Sequence, residues 1–177
     1  LERTPRVDHR HYLNHFSMRP PELTMELMAE HAIHITQQPN FTYTLEGRYL
    51  ENLDGWRLQH NNPIRSPMAH GITVAISSDI LPIGPLVGLY AAVTRKGMTG
   101  TVYGPDEAIS MAEAIRGYTL LGAYLNFEED TKGSLEPGKF ADMIVLSDDL
   151  LTIDPEQIMD VLIEQTFVHG KLVYSND

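Results

Sequence analysis

Asp79 is the side chain in this sequence best placed to do chemistry. It closes the run Ile72-Thr-Val-Ala-Ile-Ser-Ser-Asp79, which is β-branched, nearly all apolar at first, and ends abruptly in a carboxylate. A buried parallel strand has this composition. In a β/α barrel the catalytic side chains stand at the C-terminal ends of the strands, so Asp79 is a candidate catalytic residue. A local reading competes with it. Pro82, Gly84 and Pro85 make a turn directly after the run, and Asp79 could serve only to cap it. The strand alone leaves both readings open. The chain also carries eight histidines, and imidazole is the commonest metal ligand and a proton carrier near neutral pH.

The elements that must position these groups alternate. Arg10 to His15 reads as a short strand. Pro20-Pro21 starts a helix over Glu22 to His31, with Leu23, Met25, Leu27 and Met28 as its apolar positions. Ala32 to Thr36 reads as a strand that stops at Gln38-Pro39-Asn40. A helix is expected over Tyr49 to Arg57 and a short one over Ile64 to Ala69, ended by Gly71. After the Asp79 strand, Leu86 to Val93 is helical and closes at Arg95-Lys96-Gly97. Strand and helix in turn predict a parallel sheet with outer helices. Three strands cannot close a barrel, which needs about eight.

Beyond a glycine-rich loop, Glu107 to Phe127 reads as two helices broken near Gly122. Ser110 is the expected N-cap, with Glu113 completing a capping box. Glu128-Glu129-Asp130 reads as a solvated loop. Short strands follow at Met143 to Leu146, Thr166 to Val168 and Lys171 to Tyr174, and His169-Gly170 has hairpin-turn length. The expected division is therefore 1–129, α/β, and 130–177, a small β layer.

Composition narrows the function. An apolar fraction of 42% supports a real core, and a net charge of -11 argues against nucleic acid and anionic membrane surfaces. No apolar run is long enough to span a membrane. The first residues lack the apolar core of a signal peptide, so the cytoplasm is the expected compartment unless a preceding segment carries a signal. Cysteine is absent, which excludes disulfides and thiolate metal sites.

Gly133-Ser-Leu-Glu-Pro-Gly-Lys-Phe-Ala-Asp-Met-Ile-Val-Leu146 is, by itself, a turn feeding a strand. Together with "FVHGKLVY" at the C-terminus it resembles the end of the amidohydrolase superfamily. "AAVTRKG" at Ala91 to Gly97 and "SSD" at Ser77 to Asp79 narrow the likeness. They resemble the metal-dependent branch that includes N-substituted formamide deformylases and related deacylases.

The resemblance implies a fold and a site. The fold is about strands six to eight of a β/α barrel, followed by the C-terminal strands of an accessory β-sandwich. Asp79 matches the aspartate ending strand eight, which approaches the metal and moves a proton from water to the leaving amine. His15, in His11-Tyr-Leu-Asn-His15, matches the strand-six metal ligand, although Asn14 stands where the family usually has an acid. Gln38, before Pro39, matches the end of strand seven, where the family lines its substrate pocket. Arg65 and Ser66 match a pair ahead of strand eight that contacts substrate. The implied reaction is hydrolysis of a non-peptide C–N bond in a small molecule. The implied cofactor is a divalent metal, zinc first, with iron or manganese as alternatives.

His15 has a plainer reading as a hydrogen-bonded structural residue. His9-Arg10-His11 has the spacing of the superfamily's strand-one metal pair. Only about 70 residues lead from it to Asp79, too few for seven intervening βα units. His31 and His34 read as surface or packing residues, and His60, His70 and His169 as loop and turn residues. Met25, Met28, Met111 and Met159 read as core filler.

One histidine and one aspartate fall short of the three or four protein ligands zinc takes. The resemblance therefore implies that the missing N-terminal part of a barrel is this chain's partner and that the chain alone is inactive. A homo-oligomer is a further option. Two rival readings stand beside it. One is a non-catalytic module that binds a protein through an open sheet edge. The other is a hydrolase of C–O or P–O bonds on the same scaffold.

Overall fold

A computed structural model of the protein describes residues 5–176. Three short strands, β1 (Tyr12–Asn14), β2 (His34–Gln37) and β3 (Val74–Ile76), form a parallel sheet in the order β1-β2-β3. Leu13 pairs with Ile35 and Ile35 with Val74. Asn14 pairs with Thr36 and Thr36 with Ala75. The Ser77 amide donates to the Gln37 carbonyl at 2.9 Å and carries the ladder one residue past β3. The expected strand-helix alternation is thus present.

Helix α1 (Glu22–Glu30) begins after Pro20-Pro21 as expected and buries Met25 and Met28. The connection from β2 to β3 departs from expectation. Where Gln38-Pro39-Asn40 reads as a plain stop, Pro39 instead starts helix α2 (Asn40–Thr44), because proline suits a first turn. The single helix expected over Tyr49 to Arg57 is two, α3 (Glu46–Asn52) and α4 (Gly55–Gln59). Leu53 and Asp54 between them are extended, and Gly55 at φ 43 supplies the left-handed backbone that turns the chain back into helix. Helix α5 (Arg65–Ala69) leads into β3.

After β3, α6 (Pro85–Thr94) is buried along most of its length. Helices α7 (Met111–Tyr118) and α8 (Leu120–Leu125) break at Thr119, not at Gly122. The Ser110–Glu113 capping box forms. Gly117 lets α7 approach the sheet, since a Cβ there would lie 2.8 Å from Ile76 Cδ1. Ile35, Val74 and Ile76 thus form the sheet's helix-facing side with Leu89, Tyr90, Ile109 and Ala114 in one core.

The second sheet is antiparallel, with β4 (Met143–Leu146), β5 (Ile163–Val168) and β6 (Lys171–Ser175) in that order. The hairpin at His169-Gly170 has φ of 51 and 73, as a two-residue turn requires. Successive residues Ile144 and Val145 are both exposed, so both faces of this sheet show apolar side chains. The 3₁₀ segment Pro155–Asp160, for which the sequence reading assigns no element, packs on α6. It brings Ile158 into the core built around the first sheet. Met159 is exposed rather than core filler.

The loop at Glu128-Glu129-Asp130 is not merely solvated. Glu129 pairs with Arg10 at 2.6 Å. The Arg10 guanidinium also binds Asp8 at 2.9 Å and lies 4.0 and 4.1 Å from the ring centres of Tyr124 and Phe127. These carboxylates hold the guanidinium firmly protonated. The cluster ties the start of β1 to the end of α8.

Candidate active site

The C-terminal ends of the three parallel strands carry His15, Gln38 and Asp79. His15 and Asp79 leave the outer strands, which stand about 9–10 Å apart across β2. Their side chains converge, with His15 Nε2 3.7 Å from Asp79 Oδ2. Each is about half exposed, at 48% and 55% of side-chain surface. His15 leans over the end of β2 onto Phe41 of α2, with ring centres 5.6 Å apart and planes 15° from parallel. Both residues are in the left-handed region, at φ 56 and 62. Such backbone is uncommon for residues other than glycine and clusters at functional sites.

Gln38 is buried. Its Nε2 donates to Ser77 Oγ at 2.9 Å and to the Thr36 carbonyl at 3.3 Å, while its Oε1 has no partner. Behind it, Gln37 spans to the Phe16 and Pro63 carbonyls at 2.8 and 2.9 Å. Tyr118 donates to Asn40 Oδ1 at 3.1 Å, and burial pushes its hydroxyl up to about 12, so it stays a neutral donor. Asn40 in turn donates to the Pro82 and Gly84 carbonyls. The turn after Asp79 is therefore held by Asn40, and Asp79 itself makes no capping bond among the described residues.

Arg65 and Ser66 are not brought to this pair. Arg65 makes a bidentate pair with Glu113 at 2.8 and 2.9 Å and also donates to the Ala108 carbonyl. Ser66 gives its hydroxyl to Glu107 at 2.5 Å, and the amides of Ile64 and Ser66 donate to the same buried carboxylate. Their polar groups are committed to holding α5 against α7 and the segment before it.

The other histidines divide as their sequence contexts suggest. His34 is buried against Tyr124, and burial lowers its tendency to charge. His9 bonds the His31 carbonyl and stacks on His11. His60, His70 and His169 sit at helix ends and a turn. The sequence reading missed two groups at the strand ends, Phe41 and the Ser77 hydroxyl. Phe41 lay hidden in a stretch that reads as a helix stop.

Two donors on one tetrahedral zinc, each bonded at about 2.0–2.2 Å, stand roughly 3.4 Å apart. The 3.7 Å between His15 Nε2 and Asp79 Oδ2 fits two members of such a ligand set. The described residues contain no group of three or more candidate ligands, so the pair fits a metal only as part of a larger set. No helix among the described residues is long and apolar enough to cross a membrane.

Imidazole and carboxylate meet at the C-terminal ends of parallel strands with helices packed behind, an arrangement of the β/α class, whose sites lie at the strand ends. The chain belongs to the amidohydrolase family, whose sequence profile matches residues 1–174. It is 32% identical over 180 residues to YtcJ of Bacillus subtilis, a protein assigned as an amidohydrolase, covering 98% of this chain and 34% of that protein. It is 34% identical over 115 residues to the N-substituted formamide deformylase of Arthrobacter pascens, covering 63% of this chain and 21% of that enzyme. Its fold matches an uncharacterised metal-dependent hydrolase from Pyrococcus horikoshii with a TM-score of 0.68 at 23% identity, over 82% of this chain and 30% of that one. The chain thus spans about a third or less of the length of these relatives.

Proposed function

We propose that this chain forms part of the active site of a metal-dependent hydrolase that cleaves a non-peptide amide-type C–N bond. The convergence of His15 and Asp79 at 3.7 Å carries this reading. In it, residues 1–129 supply strands six to eight of a barrel, and residues 130–177 supply the end of an accessory β-sandwich. The remaining strands and ligands come from the rest of a longer protein.

A divalent metal held here, zinc by preference for these ligands, would supply Lewis acidity toward a carbonyl oxygen and a water. His15 would be one of its ligands. Asp79 takes a proton from the attacking water as oxygen adds to the carbonyl carbon. It returns that proton to nitrogen as the C–N bond breaks, releasing acid and amine.

The test is metal analysis of the full-length protein, followed by assay on an N-substituted formamide, a matched ester and a phosphoester. Bound metal with amide hydrolysis is the expected result. Preference for the ester or phosphoester would replace the C–N assignment. A protein that binds no metal would remove catalysis altogether.

A further inference from the structure

Helix α2 follows the central strand and reaches the ends of both outer strands. On the β1 side, the Phe41 ring lies against the His15 imidazole, with centres 5.6 Å apart and planes 15° from parallel. On the β3 side, Asn40 Nδ2 donates to the Pro82 and Gly84 carbonyls, each at 3.2 Å, and the Thr44 hydroxyl donates to the Leu81 carbonyl at 3.2 Å. Three carbonyls in the segment after Asp79 are thus gripped by α2 side chains. A carbonyl can only accept, so the amide nitrogen of Asn40 faces this segment and its oxygen faces Tyr118, whose hydroxyl donates to it at 3.1 Å. Asn40 is fully buried with both polar atoms of its side chain in use. These bonds are complete within the chain and do not depend on strands beyond it.

The segment they grip follows strained backbone. Asp79 lies in the left-handed region at φ 62, at the centre of a three-residue turn closed by the Ile80 amide on the Ser78 carbonyl at 2.9 Å. A residue other than glycine keeps such backbone only where its surroundings over-determine it. The Tyr118 hydroxyl oxygen, 3.5 Å from the Ser77 carbonyl, bounds the turn on its strand side, and α2 bounds it on the other. Gly88 of α6 leaves the room for this junction, since a Cβ there would lie 2.6 Å from Asn40 Oδ1 and closer still to the Tyr118 hydroxyl.

We infer that α2 is the positioning element of the site. Phe41 sets the plane of the His15 imidazole. Asn40 and Thr44 set the direction of the Asp79 carboxylate through the turn and the segment that follows it. One five-residue helix that contacts both sides thereby fixes the 3.7 Å between His15 and Asp79. The inference deepens the proposed hydrolase reading and rests on it for its kinetic and metal readouts.

The experiment uses the full-length protein. Asn40→Ala should lower kcat on an N-substituted formamide by about 10–100-fold, the scale of a displaced catalytic group, with KM changed less than about threefold and metal retained. Phe41→Leu should weaken metal binding by about tenfold in chelator competition and shift the visible spectrum of the cobalt-loaded protein. Phe41→Tyr, which keeps the ring, should restore both. Should Asn40→Ala not fold, Thr44→Val removes one hydroxyl, keeps the shape and should lower kcat by about threefold, with Thr44→Ser recovering it. Crystal structures of Asn40→Ala (or Thr44→Val) and Phe41→Leu give a readout independent of activity, in which the His15–Asp79 separation should depart from 3.7 Å. An unchanged separation overturns the inference whatever the kinetics. Variants that melt at lower temperature but keep wild-type kcat and metal affinity overturn it too, and make α2 structural alone. A wild type without bound metal would instead sink the hydrolase reading, and the separation would then decide the inference by itself.

Discussion

The two ends of strand β1 hold their charged groups in opposite ways. At its start, the Arg10 side chain is only 9% exposed, and two carboxylates, a carbonyl and two aromatic rings use its guanidinium. At its finish, His15 is half exposed on left-handed backbone, facing Asp79 in the same condition. Where every donor is used, the group serves the fold. His15 and Asp79 face each other on uncommon backbone, and neither side chain makes a hydrogen bond among the described residues. Glu107 and Glu113 belong with Arg10 in this contrast, and His15 and Asp79 stand apart.

The sharpest way to break the contrast is Asp79→Asn in the full-length protein. Turnover should fall roughly 10²–10⁴-fold, the usual worth of a positioned general acid-base group, with metal retained. Activity near wild type would place Asp79 with the structural carboxylates. His15→Ala comes next. Metal stoichiometry measured by elemental analysis should drop, while the melting temperature of the metal-free protein should stay nearly unchanged, since His15 is half solvated. Unaltered metal content would make it a structural histidine.

The structural side of the contrast predicts changes in stability instead. Glu107→Ala strands the buried Ile64 amide and the half-buried Ser66 amide and should cost about 2–3 kcal/mol by denaturant titration. A neutral outcome would show that water replaces the carboxylate. The smallest effect is electrostatic. Arg65, then the Ser110 hydroxyl and amide, hold the Glu113 carboxyl at about 2, below its ordinary 4.5. A depressed acid stabilises the fold above its unfolded value and loses that contribution as pH falls through its folded value. Wild-type stability should therefore decline between about 4.5 and about 2, and Glu113→Gln should remove that part of the slope. Both side chains are partly exposed, so the effect should be only about 0.5–1 kcal/mol.

Much of this arrangement was legible in the sequence because it depends on local pattern. The β-branched run before Asp79, the proline start of α1 and the Ser110 capping box are each set by neighbours within a few residues. The break of the α7–α8 segment was misplaced because Gly122 marks flexibility in sequence, whereas the chain turns at Thr119. Met159 has helical spacing but sits on the outer side of a 3₁₀ segment. The roles of Arg65 and Ser66 were hidden for a different reason. Their partners, Glu113 and Glu107, are more than 40 residues away, and no local pattern signals such a pairing.

The Arg10–Glu129 bond also bears on the order in which the chain folds. It joins residues 119 apart, so forming it closes a loop containing most of this chain. Closing so long a loop is entropically costly, and contacts between neighbours in sequence form sooner. The helices and the β5–β6 hairpin can assemble first, then β1 on β2, whose partners Leu13 and Ile35 are 22 residues apart, and then β3 on β2, whose partners Ile35 and Val74 are 39 apart. The approach of His15 to Asp79 needs all three strands in register, so it follows both strand pairings rather than guiding them.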